Sequence, residues 1–180
     1  SGVQKDAGLA LGWFQDSRAV QPLVSMLAAA DGGMRKIAAL ALGCFQDPRT
    51  AAGLAALAND PDPGVKSAVT LALCQVQDSL SVDSLIEFLN DPDADVRSSA
   101  VRALSMSGTE CALQALLARS VDPDARVRAC LVGALACFTK GPDFAVALGK
   151  LYKDSNASVR FSAGITILAE GGLDLKNLIC

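Results

Sequence analysis

Six segments align without gaps, and their spacing constrains the fold more than any other feature. They are VQKDAGLAL from Val3, MRKIAALAL from Met34, VKSAVTLAL from Val65, VRSSAVRAL from Val96, VRACLVGAL from Val127 and VRFSAGITI from Val159. Successive starts lie 31 residues apart, except for one interval of 32 whose extra residue falls near Lys140–Gly141. A fixed period of this length marks a repeat architecture. Each segment is amphipathic at helical spacing: in the fourth, Val96, Ala100, Val101 and Leu104 share a face. Leu11, Leu42, Leu73, Leu104 and Leu135 form one column, with Ile167 in the sixth copy. A second helix follows in each unit, with Leu23, Leu54, Leu85, Leu116 and Leu148 as its main apolar column.

One such hairpin cannot bury its apolar faces alone, whereas stacked neighbours bury a continuous core. The expected fold is all-α: a right-handed α-solenoid (α-α superhelix), with first helices outside and second helices lining the inner face. Hydrophobic residues are 51% of the 180 and aromatics only 4%, so the core is built mainly from Ala, Leu and Val. The connections fit this plan. Asp16, Asp47 and Asp78 precede second helices, where a side-chain oxygen can cap free amides. Pro48 suits a first helical position, and Thr109 takes the cap position in the fourth copy, while Gly141 and Pro142 replace the acidic cap in the fifth. Phe14, Phe45, Val76 and Phe138 close the tops of their hairpins, and Ser107 beside Gly108 interrupts that column.

The unit DPDADVRSSAVRAL, joined to a capped second helix as in LGWFQDSRAVQPLVSML, resembles HEAT repeats. It is most similar to the short HEAT-like type named after phycobilisome lyases. The resemblance covers essentially the whole chain and implies one HEAT-like repeat domain over residues 1–180, in five full hairpins and part of a sixth. The chain opens without the DP turn of the other copies and closes part-way through a second helix at LDLKNLIC. This implies a piece of a longer array, or an end that self-associates through Leu175, Leu178 and Ile179. The resemblance also implies a ladder between repeats, from an aspartate before the first helix and a basic residue six positions later. It carries over as Asp60 with Lys66, Asp91 with Arg97, Asp122 with Arg128 and Asp154 with Arg160. Arg35 has Ala29 in the acidic position, so its rung is expected to be missing; Lys66 offers a point charge in place of a fork, so its rung is expected to be weaker.

Alternate aspartates at Asp91, Asp93 and Asp95 look like the opening of a calcium loop. Such a loop needs glycine at its sixth place and glutamate at its twelfth. Those places hold Val96 and Arg102. Asp62, Asp93 and Asp124 align as first-helix caps instead, and no metal or cofactor is expected.

Histidine is absent. That excludes His-based acid–base catalysis, Ser-His and Cys-His nucleophile pairs, and His-ligated zinc or iron, including the iron chemistry of HEAT-like hydroxylases. Cys44, Cys74, Cys111, Cys130, Cys137 and Cys180 form no CxxC pair and scatter through helices, which suits a reduced, cytoplasmic protein. Cys130 and Cys137, seven residues apart, are expected in the core. The net charge of -3 and the lack of a basic stripe argue against nucleic acid, and no apolar run is long enough to expect a membrane span. More than half of the 19 acidic residues fall at cap or ladder positions, so the pI of 4.9 says little about a partner's charge.

Function is expected on the inner face, at second-helix positions away from the leucine column. These are Arg18, Arg49, Leu80, Cys111 and Asp143; Gln21, Ala52, Asp83, Gln114 and Val146; and Ser25, Ala56, Glu87, Ala118 and Lys150. The expected activity is non-catalytic binding of a protein or peptide there. The alternative, implied by resemblance alone, is a phycobilin lyase-like or chaperone-lyase subunit acting on phycobiliproteins. No residue is a candidate for catalysis.

Overall fold

A computed structural model describes residues 16–45, 47, 50–76, 79–138 and 142–169. Leu11, Phe14, Pro48, Arg49, Asp78, Gly141, Leu175, Leu178, Ile179 and Cys180 lie outside them, as does the side chain of Leu80. Among the described residues all regular structure is helical. A 3-10 turn (Ser17–Ala19) leads into α1 (Val20–Met26), followed by α2 (Gly32–Gly43), α3 (Ala51–Ala55), α4 (Pro63–Val76) and α5 (Ser79–Phe88). Then come α6 (Ala94–Ser105), α7 (Glu110–Ala118), α8 (Ala125–Leu135), α9 (Pro142–Tyr152) and α10 (Ala157–Ala169). The even-numbered helices are the first helices of the repeats and the odd-numbered ones are the second.

Two compact units divide the chain, residues 1–103 and 104–180. In the first, α2 packs on α1 and α4, α4 packs on α3 and α5, and α3 touches α5. In the second, α8 packs on α7, α9 and α10, and α9 packs on α7 and α10. Both leucine columns form the core: Leu42, Leu73, Leu104, Leu135 and Ile167 are buried, as are Leu23, Leu54, Leu85, Leu116 and Leu148. This is the α-solenoid class that the repeat implies. Its small-residue composition has a direct consequence between α2 and α4. A Cβ added at Gly43 would stand 2.8 Å from the Ala72 Cα, so only glycine permits that approach.

The turns before the first helices share a two-step bonding pattern. The Asp60 carboxylate accepts the Asp62 amide at 2.9 Å, and the Asp62 carboxylate accepts the Gly64 amide at 2.8 Å. The same pair of bonds recurs through Asp91 and Asp93 and through Asp122 and Asp124. In the last copy Asp154 accepts from Asn156, whose side chain caps α10 at Ser158. Each step satisfies an amide that the helix cannot, which is why Asp and Asn recur here. Thr109 caps α7 by accepting the Ala112 amide at 3.3 Å, after Gly108 turns the chain with a φ of 63°.

The ladder runs differently from the expected pairing. Each arginine of this column uses Nη1 to clamp the main-chain carbonyls of its own turn. Arg97 donates to the Asp91 and Pro92 oxygens at 2.8 and 3.0 Å, and Arg35, Arg128 and Arg160 do the same in their turns. For Arg35, Lys66 and Arg128 the carboxylate met belongs to the following repeat. Arg35 grips Asp60 with two bonds of 2.6 and 2.9 Å, and Arg128 grips Asp154 with two of 2.6 and 2.8 Å. Lys66 reaches Asp91 with a single contact of 2.6 Å. Asp60 with Lys66 and Asp91 with Arg97 are therefore not the side-chain pairs among these contacts. The Arg35 rung exists, because Ala29 contributes only its carbonyl while the acid comes from the next turn.

One further expectation fails. Cys137 is exposed and Cys130 half-buried, so this pair does not sit in the core. The apolar column of α8 is carried by Val127, Leu131 and Leu135, which turns Cys137 outward.

Candidate functional site

The second helices present a regular register to solvent. Their leucine columns point inward, and residues three and seven positions after a given one return to the same outward face because 3.6 residues complete a turn. In the first unit Arg18, Gln21, Ser25, Ala52, Ala56, Asp83 and Glu87 are all exposed. In the second unit Cys111, Gln114, Ala118, Asp143, Val146 and Lys150 are exposed as well.

Charge is distributed unevenly over these faces. Arg18 is paired locally: its Nε and Nη2 bond both Asp16 oxygens at 2.6 to 3.0 Å. Those hydrogen bonds, the side-chain ones foremost, hold the Asp16 carboxyl at about 2, well below its ordinary value. On α5, Asp83 and Glu87 stand one turn apart and form an acidic strip.

The second unit adds a concavity. A depression of about 260 Å³ is lined by Gln114, Leu117, Ser120, Asp143, Val146, Ala147 and Lys150. Its lining sets the apolar Leu117, Val146 and Ala147 beside one acid, one base, one amide and one hydroxyl. Asp143 and Lys150 occupy opposite ends of α9, about 10 Å apart along the axis at 1.5 Å per residue. Each sits at the end of the helix dipole that favours its sign. Val146, 57% exposed, projects between them. Gln114 is oriented by donating to the Glu110 carboxylate at 2.8 Å. This arrangement can hold an apolar side chain flanked by charged groups of both signs. The lining residues include no base paired with the Ser120 hydroxyl.

Four of the sequence-derived positions, Gln114, Asp143, Val146 and Lys150, converge on this depression, while Cys111 and Ala118 lie outside its lining. Leu117, Ser120 and Ala147 complete it without having been expected. Leu117 follows Gln114 by three positions, the one periodic signal that pointed to it. Ser120 lies in a 3-10 turn (Arg119–Val121) whose register departs from the helical columns.

The aspartates at 91, 93 and 95 serve the turn. Asp91 accepts Lys66 Nζ with one oxygen and the Asp93 amide with the other, and Asp93 accepts the Asp95 amide. Among the described residues no group of three or more His, Cys, Asp or Glu side chains stands where it could hold a metal ion. Nor is any described helix long and apolar enough to cross a membrane. None of the described cysteines is in a disulfide, and burial pushes the Cys74 thiol upward.

The family model for HEAT repeats matches residues 1–74 and 53–136. The chain belongs to the HEAT repeat family. Comparison with curated proteins gives no match. Among solved structures, this HEAT repeat chain is similar to one in the complex of CpcE and CpcF of phycocyanin lyase from Nostoc sp. PCC7120. There the identity is 23%, the match covers 99% of this chain and 75% of that one, and the TM-score is 0.66. It is also similar to computationally designed armadillo repeat proteins for modular peptide recognition, at 18% identity, 91% and 92% coverage and a TM-score of 0.56. A designed armadillo repeat protein in complex with the peptide (KR)4 matches at 18% identity, 91% of each chain and a TM-score of 0.59. At these identities the likeness establishes the fold that HEAT and armadillo repeats share.

Proposed function

We propose that this HEAT repeat chain is a non-catalytic module that binds a protein or peptide segment along its second-helix faces. The supporting observation is the depression between α7 and α9, where an exposed apolar residue, Val146, stands between Asp143 and Lys150. A segment bearing an apolar anchor with charged residues on both sides fits that chemistry. In the first unit, taken by itself, the acidic strip of Asp83 and Glu87 favours a segment with basic residues. The designed relatives of this fold, described as built for peptide recognition, lend support. Scattered cysteines outside any disulfide among the described residues suit an intracellular setting.

Selection of peptides from a random display library on the intact chain tests the reading. Bound peptides are expected to lose affinity with Val146→Arg, and those rich in Lys and Arg with the Asp83→Lys, Glu87→Lys pair. Selected peptides that bind all variants equally well would refute it. A lyase-like role toward phycobiliproteins is the second reading, and its support is the likeness to the CpcE–CpcF structure. Transfer of a bilin to a phycobiliprotein apo-subunit, followed by visible absorbance, separates the two.

A further inference from the structure

Charge along the α7–α9 depression runs from acid to base. Glu110 and Asp143 lie in the first turns of α7 and α9, and Lys150 lies in the last turn of α9. Asp143 and Lys150 have no ion-pair partner among the described residues. They stand about 10 Å apart along the α9 axis, with the exposed Val146 between them. A complementary segment must therefore set a cation and an anion about that far apart on one face, with apolar surface between.

Few backbone conformations return side chains to one face at that distance. A strand does so every two residues, giving spans of about 7 or 13 Å. A polyproline-II chain does so every three residues, giving about 9 Å. An α-helix does so at seven residues, giving about 10 Å. The α7 wall favours the polyproline-II chain over the helix. Gln114 gives one amide hydrogen to Glu110. Its other N–H and its carbonyl, like the half-buried Ser120 hydroxyl, have no partner among the described residues. A polyproline-II chain makes no internal hydrogen bonds, so its peptide groups are available to these atoms. A helix bonds its own peptide groups and would set only side chains against them.

Resting on the reading that a segment binds here, we propose that the depression takes an extended polyproline-II segment with a basic and an acidic residue three positions apart. Proline or an aliphatic residue fills the two places between. The basic residue meets Asp143, the acidic residue meets Lys150, and the apolar residue between them covers Val146 and Leu117. Gln114 bonds one peptide group of the segment. Either chain direction satisfies the charges, so the spacing and not the order is the recognised feature.

The octapeptide GPKPLEPG carries that spacing. It is titrated into the intact, isotope-labelled chain, and the Val146 methyl and Lys150 side-chain resonances are followed. Saturable shifts of both are expected. Replacing the peptide's Glu by Gln weakens binding roughly threefold for the unaltered chain and not at all for Lys150→Gln, as an exposed ion pair requires. Replacing its Lys by Gln gives the same pattern with Asp143→Asn. The peptide GPKLEPPG, with its charges two positions apart, and a stapled helix with them seven apart bind more weakly. Equal or tighter binding of either overturns the proposal, as does a charge replacement without effect on the unaltered chain. No saturable shift with GPKPLEPG also overturns it. Display-selected peptides that still bind and lose affinity with Val146→Arg would then leave the wider reading standing, whereas their absence would remove both.

Discussion

Replacing glycine by alanine at Gly43 and at Gly133 adds one methyl group to a helix in each case, yet the surroundings demand opposite outcomes. At Gly133, inside α8, a new Cβ meets nothing within 4 Å. Removing the backbone freedom of glycine there is worth about 1 kcal/mol. For a chain of this size that corresponds to a rise in Tm of roughly 2–4 °C. At Gly43, the last residue of α2, the same propensity gain is smaller because the helix is ending. The new Cβ would lie 2.8 Å from Ala72 Cα and 3.0 Å from Ala72 Cβ. The first of these is backbone of α4, so no flexible side chain can swing aside and two helices must part. Overpacking of this kind costs about 1–3 kcal/mol. The net effect is a loss of roughly 1–2 kcal/mol, or a fall in Tm of about 2–8 °C. Thermal unfolding by circular dichroism reads both variants, and hydrogen exchange at the α2–α4 amides localises the damage in Gly43→Ala. If Gly43→Ala raised Tm as Gly133→Ala does, the tight approach of these helices would be wrong.

Other substitutions and conditions probe the turns and their ladder. Hydrogen bonds from Arg35 and Arg128 hold the Asp60 and Asp154 carboxyls below their ordinary value of 3.8. Their contribution to stability is therefore complete above that value and lost as pH falls through the depressed folded-state values. Acid unfolding followed from pH 5 downward should show this, and Asp60→Asn with Asp154→Asn, which keeps the turn acceptors, should flatten the profile. Lys66→Arg offers Asp91 a two-pronged partner in place of the single 2.6 Å contact, and a rise in Tm of about 1–3 °C is expected by calorimetry. Thr109→Ala removes the cap at the start of α7 and should cost about 1 kcal/mol in chemical denaturation, with faster amide exchange concentrated at Ala112.

Much of the architecture was legible because its signals are local. The columns from Leu42 to Ile167 and from Leu23 to Leu148 follow from helical periodicity within single helices, and their burial agrees with that reading. The outward register of residues such as Gln21, Asp83 and Val146 follows from the same periodicity. Cys137 was misplaced in the core because its spacing from Cys130 says that the two share a face but not which face is inward.

By itself, then, the sequence determined the repeat period, the inward leucine columns and the caps at Asp62, Asp93, Asp124 and Thr109, all properties of residues a few positions apart. Tertiary structure decided which groups meet across the repeats. Acid and base six residues apart in one turn suggested a pair, but the Nη1 of each arginine is taken by main-chain oxygens, so the remaining fork reaches the next turn, as Arg35 does to Asp60 and Arg128 to Asp154. Likewise Gln114 and Lys150 border one depression only because α7 and α9 pack side by side. Stacking turns a separation of about 30 residues into contact, and helical periodicity, which acts over a few residues, carries no record of it.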